Sequence, residues 1–96
     1  MKKLEYCRLE HVTQEQGKEI KLHSWVAFLF TTEGLAEMMR SDTWIEKVGL
    51  YAIKDDSHHI SYEKQRIIMI SRLGSEGWEW IERSGFQDTF QRSKDE

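Results

Sequence analysis

Between residues 19 and 30 the chain alternates. Ile20, Leu22, Val26, Phe28 and Phe30 fall on one face at period two. The other face starts polar with Glu19, Lys21 and His23. It turns apolar at Trp25, Ala27 and Leu29, the pattern of a central strand buried on both sides. Residues 3–12 predict a second strand through Tyr6, Leu9 and Val12. Its alternation is imperfect, with Leu4 and Tyr6 on one face and Cys7 and Leu9 on the other, which a bulge or two-sided cover explains. The polar stretch 13–18, TQEQGK, is short enough to join the two as a hairpin.

Past residue 30 the period changes. Thr32 has the character of an N-cap, with Glu33 in the first turn. Leu35, Met38 and Met39 recur at helical spacing, and Ile45 and Val48 continue the stripe. Thr43 and Glu46 have capping-box spacing, predicting a second short helix, with Gly49 as its C-terminal glycine. Residues 50–53, LYAI, read as a short strand, and 55–59, DDSHH, as a loop. Ser61 can cap a helix to about Leu73, its apolar stripe formed by Ile67, Ile70 and Leu73 and widened by Met69. The run IIMI alone also fits a buried strand; its polar flanks favour helix. Gly74 and Gly77 end that helix, strands at 78–81 and 88–92 follow, and RSGF turns between them. The predicted order is β-β-α-β-α-β-β. That makes a single α+β domain over residues 1–96, an antiparallel or mixed sheet with helices packed on one face.

The corner LGSEGWE, with Leu73, Gly74, Glu76, Gly77, Trp78 and Glu79, resembles a family of small bacterial domains of unknown function. These also carry a closing strand ending in aromatic-x-Arg, as Phe90-Gln91-Arg92 does here, and a first strand similar to Leu4-Glu5-Tyr6. The resemblance covers roughly residues 61–92 and, more weakly, the first strand. Trp80 stands where such domains carry an aliphatic residue, and residues 13–52 are extra material. The resemblance implies a fold and a bacterial or phage origin, and no activity. The residues themselves agree: Gly74 and Gly77 supply a structural corner, with Trp78 folding back over the helix end. A phosphate cradle would need its glycines before a helix, not after one.

Charge and composition narrow the function. The net charge is −3, without the basic footprint of a nucleic-acid domain. Arg83, Phe86, Phe90, Arg92 and Lys94 do interleave cations and aromatics on the last hairpin, a pattern that could stack unpaired bases. The longest apolar run, WVAFLF, is too short for a membrane span, and the N-terminus lacks the apolar core of a signal peptide. The single cysteine, Cys7, cannot form an internal disulfide, so a reducing cytoplasm is expected.

Candidate chemistry is sparse. Asp55, Asp56, His58 and His59 are metal-ligand types, but adjacent histidines in an extended loop diverge and no i, i+4 pair exists. His11 and His23 could join only if the fold brings them near, so no metal or other cofactor is expected. Cys7 has no marked base beside it, and no serine sits in a nucleophile elbow, so no catalytic residue is assigned. Glu79 and Glu82, at odd separation, should face opposite sides of a strand.

The reading is therefore a non-enzymatic cytoplasmic interaction or regulatory module that forms a homodimer or meets another protein. The alternative is a small-molecule or nucleotide binder that stacks its ligand on tryptophan. Candidate binding residues are Trp80, Trp25, Phe90, Arg92 and Arg83. Trp78 is expected in the core and Trp80 at the sheet margin, its N–H finding water or a partner.

Overall fold

A computed structural model of the chain describes residues 3–49 and 57–94. β1 (Lys3–Gln16) and β2 (Ile20–Thr31) form the expected hairpin, turning at Gly17. β3 (Gly34–Arg40) and β4 (Trp44–Lys47) follow, then one helix, α1 (Ser57–Ser75), and the closing hairpin of β5 (Glu79–Ser84) and β6 (Gln87–Lys94). The strands make one antiparallel sheet in the order β3-β2-β1-β6-β5, with β4 also on β2.

Among the described residues the order is β-β-β-β-α-β-β, so the expected α+β fold with two helices is corrected to a six-stranded antiparallel sheet carrying one helix. Both misread segments pair along the same edge of β2. Val26–Thr31 takes β3 and Ile20–His23 takes β4. The helical spacing of Leu35, Met38 and Met39 is produced by a bulge. The register slips between Ala27 and Phe28, so Met39 points into the core while Leu35 and Glu37 lie on the other face. Thr32 caps no helix. Thr31 Oγ1 accepts from the Glu33 N–H and donates to the Gly34 carbonyl, closing a tight turn in which Gly34 has φ of 121°. Between β3 and β4, Ser41 holds the gap, its N–H donating to the Trp25 carbonyl while its Oγ accepts from the Trp25 N–H. The strand expected at 50–53 and residues Asp55 and Asp56 lie outside the described residues.

α1 begins at Ser57, not Ser61, so His58 and His59 stand in its first turn rather than in a loop. Its inward row is Tyr62, Arg66, Met69 and Leu73, at i, i+4, i+7 and i+11; Ile67, expected in the stripe, is 62% exposed. The core between helix and sheet joins Met69 and Leu73 to Cys7, Leu9, Trp25, Ala27, Met39, Trp44, Trp78 and Phe90. Burying a side chain the size of Leu73 contributes about 1.5–3 kcal/mol. All of these β1 and β2 residues have odd numbers. The even-numbered face carries no helix among the described residues. β2 is thus central in the sheet and buried on both sides at its middle, where Ser24 and Val26 of the even face are buried like Trp25 and Ala27, while Phe30 at its end stays 45% exposed.

Candidate functional site

The inward row of β2 runs from Leu29 through Ala27 and Trp25 to His23, and that of β1 from Cys7 through Leu9 to His11. The apolar core therefore grades into histidines at the end of the sheet where α1 begins. Strand pairing places His11 opposite Trp25 and Thr13 opposite His23, so the two histidines are diagonal neighbours on one face. β4 adds Trp44 opposite His23 and Glu46 opposite Lys21. The first two turns of α1 bring His58 and Tyr62, pinned by the Trp25 indole N–H donating to the Tyr62 carbonyl at 2.9 Å.

With all three imidazoles neutral, the hydrogen bonds of this cluster admit one consistent set of proton positions. An indole N–H can only donate, so at 3.0 Å from Trp44 Nε1 the His58 Nδ1 must accept. Neutral His58 then carries its proton on Nε2, 3.9 Å from Glu46 Oε2. His23 Nε2 lies 3.0 Å from Glu46 Oε1 and donates to that carboxylate. Its Nδ1 accepts, over 2.8 Å, from His11 Nε2. Burial pushes the His11 imidazole below its ordinary pKa, and neighbouring His23 and His58 push the same way, against the pull of Glu46. Burial also lowers His58, again opposed by Glu46. Two imidazoles, His23 and His58, thus converge on one carboxylate, and His11 backs His23. His23 is almost fully buried, and the ring planes of His11 and His23 are 8° apart. Tyr62 meets His11 edge-on at 5.0 Å. An open groove of about 470 Å³ lies alongside, lined by His11, His58, His59, Tyr62 and Phe86.

The residues expected to bind do not assemble into one surface. Trp25 and Phe90 are fully buried core residues and offer no face to a ligand. Trp80 is 55% exposed at the margin, and its N–H meets Asp88 at 3.0 Å, as expected for an indole seeking a partner. Trp78 is buried, also as expected. Arg92 sits on the corner, its guanidinium carbon 4.3 Å from the centre of the Trp78 ring, bonding Glu5 and the Glu76 carbonyl. Arg83 stands opposite Asp88 on the exposed edge strand β5. The corner itself forms as expected. Trp78 N–H donates to the Leu73 carbonyl and Gly77 N–H to that of Gly74, with φ of 89° at Gly77. Gly74 is the last-turn acceptor and has no positive φ. Glu79 and Glu82 face Gln91 and Thr89, hence the same side, because a bulge between Trp80 and Glu82 absorbs one residue.

Sequence reasoning missed Glu46, Trp44 and Tyr62. The hairpin turn at Gly17 was a usable signal for His11 and His23, since folding the chain there sets them side by side. No protein-family model, curated protein or solved structure matches the chain.

Proposed function

We infer that this chain is a small, non-enzymatic cytoplasmic interaction module that pairs with a second copy of itself through the exposed end of the sheet face opposite α1. One observation carries the reading. On that face Leu4 and Tyr6 of β1, Phe30 of β2 and Leu35 of β3 are each 40% exposed or more, with Phe30 and Leu35 directly paired. Four such side chains present an apolar patch on the order of 400 Å², at the size where monomers begin to use a patch for binding. A standard interface needs about 800 Å² per partner. Half-buried Phe28 adjoins the patch on the same face, and beyond it Ser24 and Val26 are already buried.

A second copy fits the charges. Arg8 pairs with Glu10 at 3.3 Å and Arg40 with Glu37 at 2.7 Å, so the patch is flanked by neutralised pairs rather than by one sign. A face that is locally neutral can meet itself across a two-fold axis, as an isologous dimer requires. Two such sheets would stack about 10 Å apart. Nucleic acid is disfavoured by the same balance. No helix among the described residues is long and apolar enough to cross a membrane. A catalytic thiol is disfavoured too, because burial pushes Cys7 up to about 12. Of the tryptophan-stacking alternative, Trp80 keeps an accessible ring, while Trp25 does not.

Light scattering after size exclusion tests the proposal. The protein should elute at twice the 11.5 kDa chain mass, and Phe30→Glu or Leu35→Glu should return it to one chain mass with its circular dichroism unchanged. A monomer at all concentrations up to about 0.5 mM, above the micromolar-to-nanomolar range of specific pairs, would refute it.

A further inference from the structure

We propose that His23, Glu46 and His58 form a binding site for one divalent first-row transition metal ion, of which zinc is the probe. The three residues come from β2, β4 and the first turn of α1, and their ligand atoms lie within 4.8 Å of one another. His23 Nε2 stands 3.0 Å from Glu46 Oε1, and His58 Nε2 stands 3.9 Å from Glu46 Oε2. Two ligands each about 2.1 Å from a tetrahedral zinc are about 3.4 Å apart. The two nitrogen–oxygen separations lie on either side of that, and the set as a whole, within 4.8 Å, draws in on loading. Two imidazoles and a carboxylate with a further position open is a donor set suited to zinc and its neighbours, and unsuited to magnesium or calcium, which take oxygen. His11 already holds the His23 ring through Nδ1, the nitrogen that the ion does not use.

Loading the ion shifts protons within the cluster without releasing any from the imidazoles. Each coordinating Nε2 gives up its hydrogen, and the ring carries it on Nδ1 instead. For His23 this reverses one hydrogen bond: Nδ1–H now donates to His11 Nε2, whose own proton moves to its Nδ1. A ligating histidine is commonly held by such an outer acceptor. For His58 the shift creates a conflict, because Nδ1–H then faces the donor-only indole N–H of Trp44. The Trp44 bond must break on loading. Trp44 is therefore both a reporter of binding and a brake on it. Once loaded, the ion ties the start of α1 to two strands.

The test uses the untagged full chain, stripped of metal with a chelator and titrated with zinc, cobalt and magnesium chlorides by calorimetry and tryptophan fluorescence. Zinc should bind at about one ion per chain with a Kd at or below about 1 µM, raise the melting temperature and change the fluorescence, while magnesium does none of these. Cobalt should give a visible absorption band of a low-coordinate site. His58→Ala and Glu46→Gln, both partly exposed positions checked for folding by circular dichroism, should each weaken zinc by more than about 100-fold, beyond the loss typical of outer partners. His59→Ala should bind within about twofold of the parent, since His59 is outside the set. Trp44→Phe should tighten zinc by about tenfold, because the opposed donor is gone. Absent or non-stoichiometric zinc binding would overturn the proposal. So would binding indifferent to His58→Ala and Glu46→Gln, equal binding of magnesium, or weaker binding in Trp44→Phe.

Discussion

Asp88 is fully buried on β6, and its two carboxylate oxygens are taken by three donors. Arg66 reaches both, through Nε at 3.2 Å and Nη2 at 3.0 Å, and the Trp80 indole N–H takes Oδ1 at 3.0 Å. A buried carboxylate costs several kcal/mol of lost hydration, which only such complete pairing offsets. This explains why an arginine occupies the inward row of the helix, between Tyr62 and Met69, where an apolar residue would be expected. Removing one partner leaves the other charge buried and unpaired. Asp88→Ala should therefore cost about 3–5 kcal/mol in urea melts. Asp88→Asn, which keeps the shape and accepts one bond, should cost less. Equal, small losses below about 1 kcal/mol for both would mean that Arg66 escapes to water and that the pair does not hold the helix. At this scale the sequence was partly legible. Trp78 and Trp80, two residues apart, divide as expected, the one beside the helix end in the core and the other at the sheet margin. The Asp88–Arg66 pair was not, because 22 residues and a helix separate its members and neither residue type announces burial.

At the scale of elements, the long hairpin, the helix, the glycine corner and the closing hairpin follow from local signals: period-two alternation, a polar glycine-bearing loop, and a glycine past the helix end. β3 and β4 do not. β3 mimics a helix because a bulge turns period two into a three-then-one spacing at Leu35, Met38 and Met39. β4 is four residues long, and Thr43-Trp44-Ile45-Glu46 reads as a capping box when no pairing partner is known. The histidine cluster hid for the same reason, since Glu46 was spent on that expected helix and His58 on an expected loop. The corner offers a direct test. With φ of 89° at Gly77, an added Cβ meets only Arg92 Cδ at 3.6 Å, an ordinary contact, so the backbone conformation alone opposes a side chain. Gly77→Val should destabilise the protein by about 1–3 kcal/mol, read from paired melts. An unchanged midpoint would show that Gly77 does not need its left-handed conformation.

For the whole molecule, the asymmetry of cover is the property to explain. Among the described residues one helix lies on one face of six strands, and the other face, though it buries Ser24 and Val26, leaves Leu4, Tyr6, Phe30 and Leu35 exposed. Strand alternation normally sorts apolar from polar, as on sheets with one wet face. Here both faces are apolar over much of their length, which is why a two-sided burial was expected for β2. In the proposed dimer, a second copy would cover these exposed groups. The most direct measurement is an isotope-filtered nuclear Overhauser experiment on a mixture of labelled and unlabelled chains. Contacts between chains should join the methyl groups of Leu4 and Leu35 to the rings of Tyr6 and Phe30. Contacts that instead arise from Ile60 and Ile67 on the outer side of α1, or no contacts between chains at all, would contradict the account.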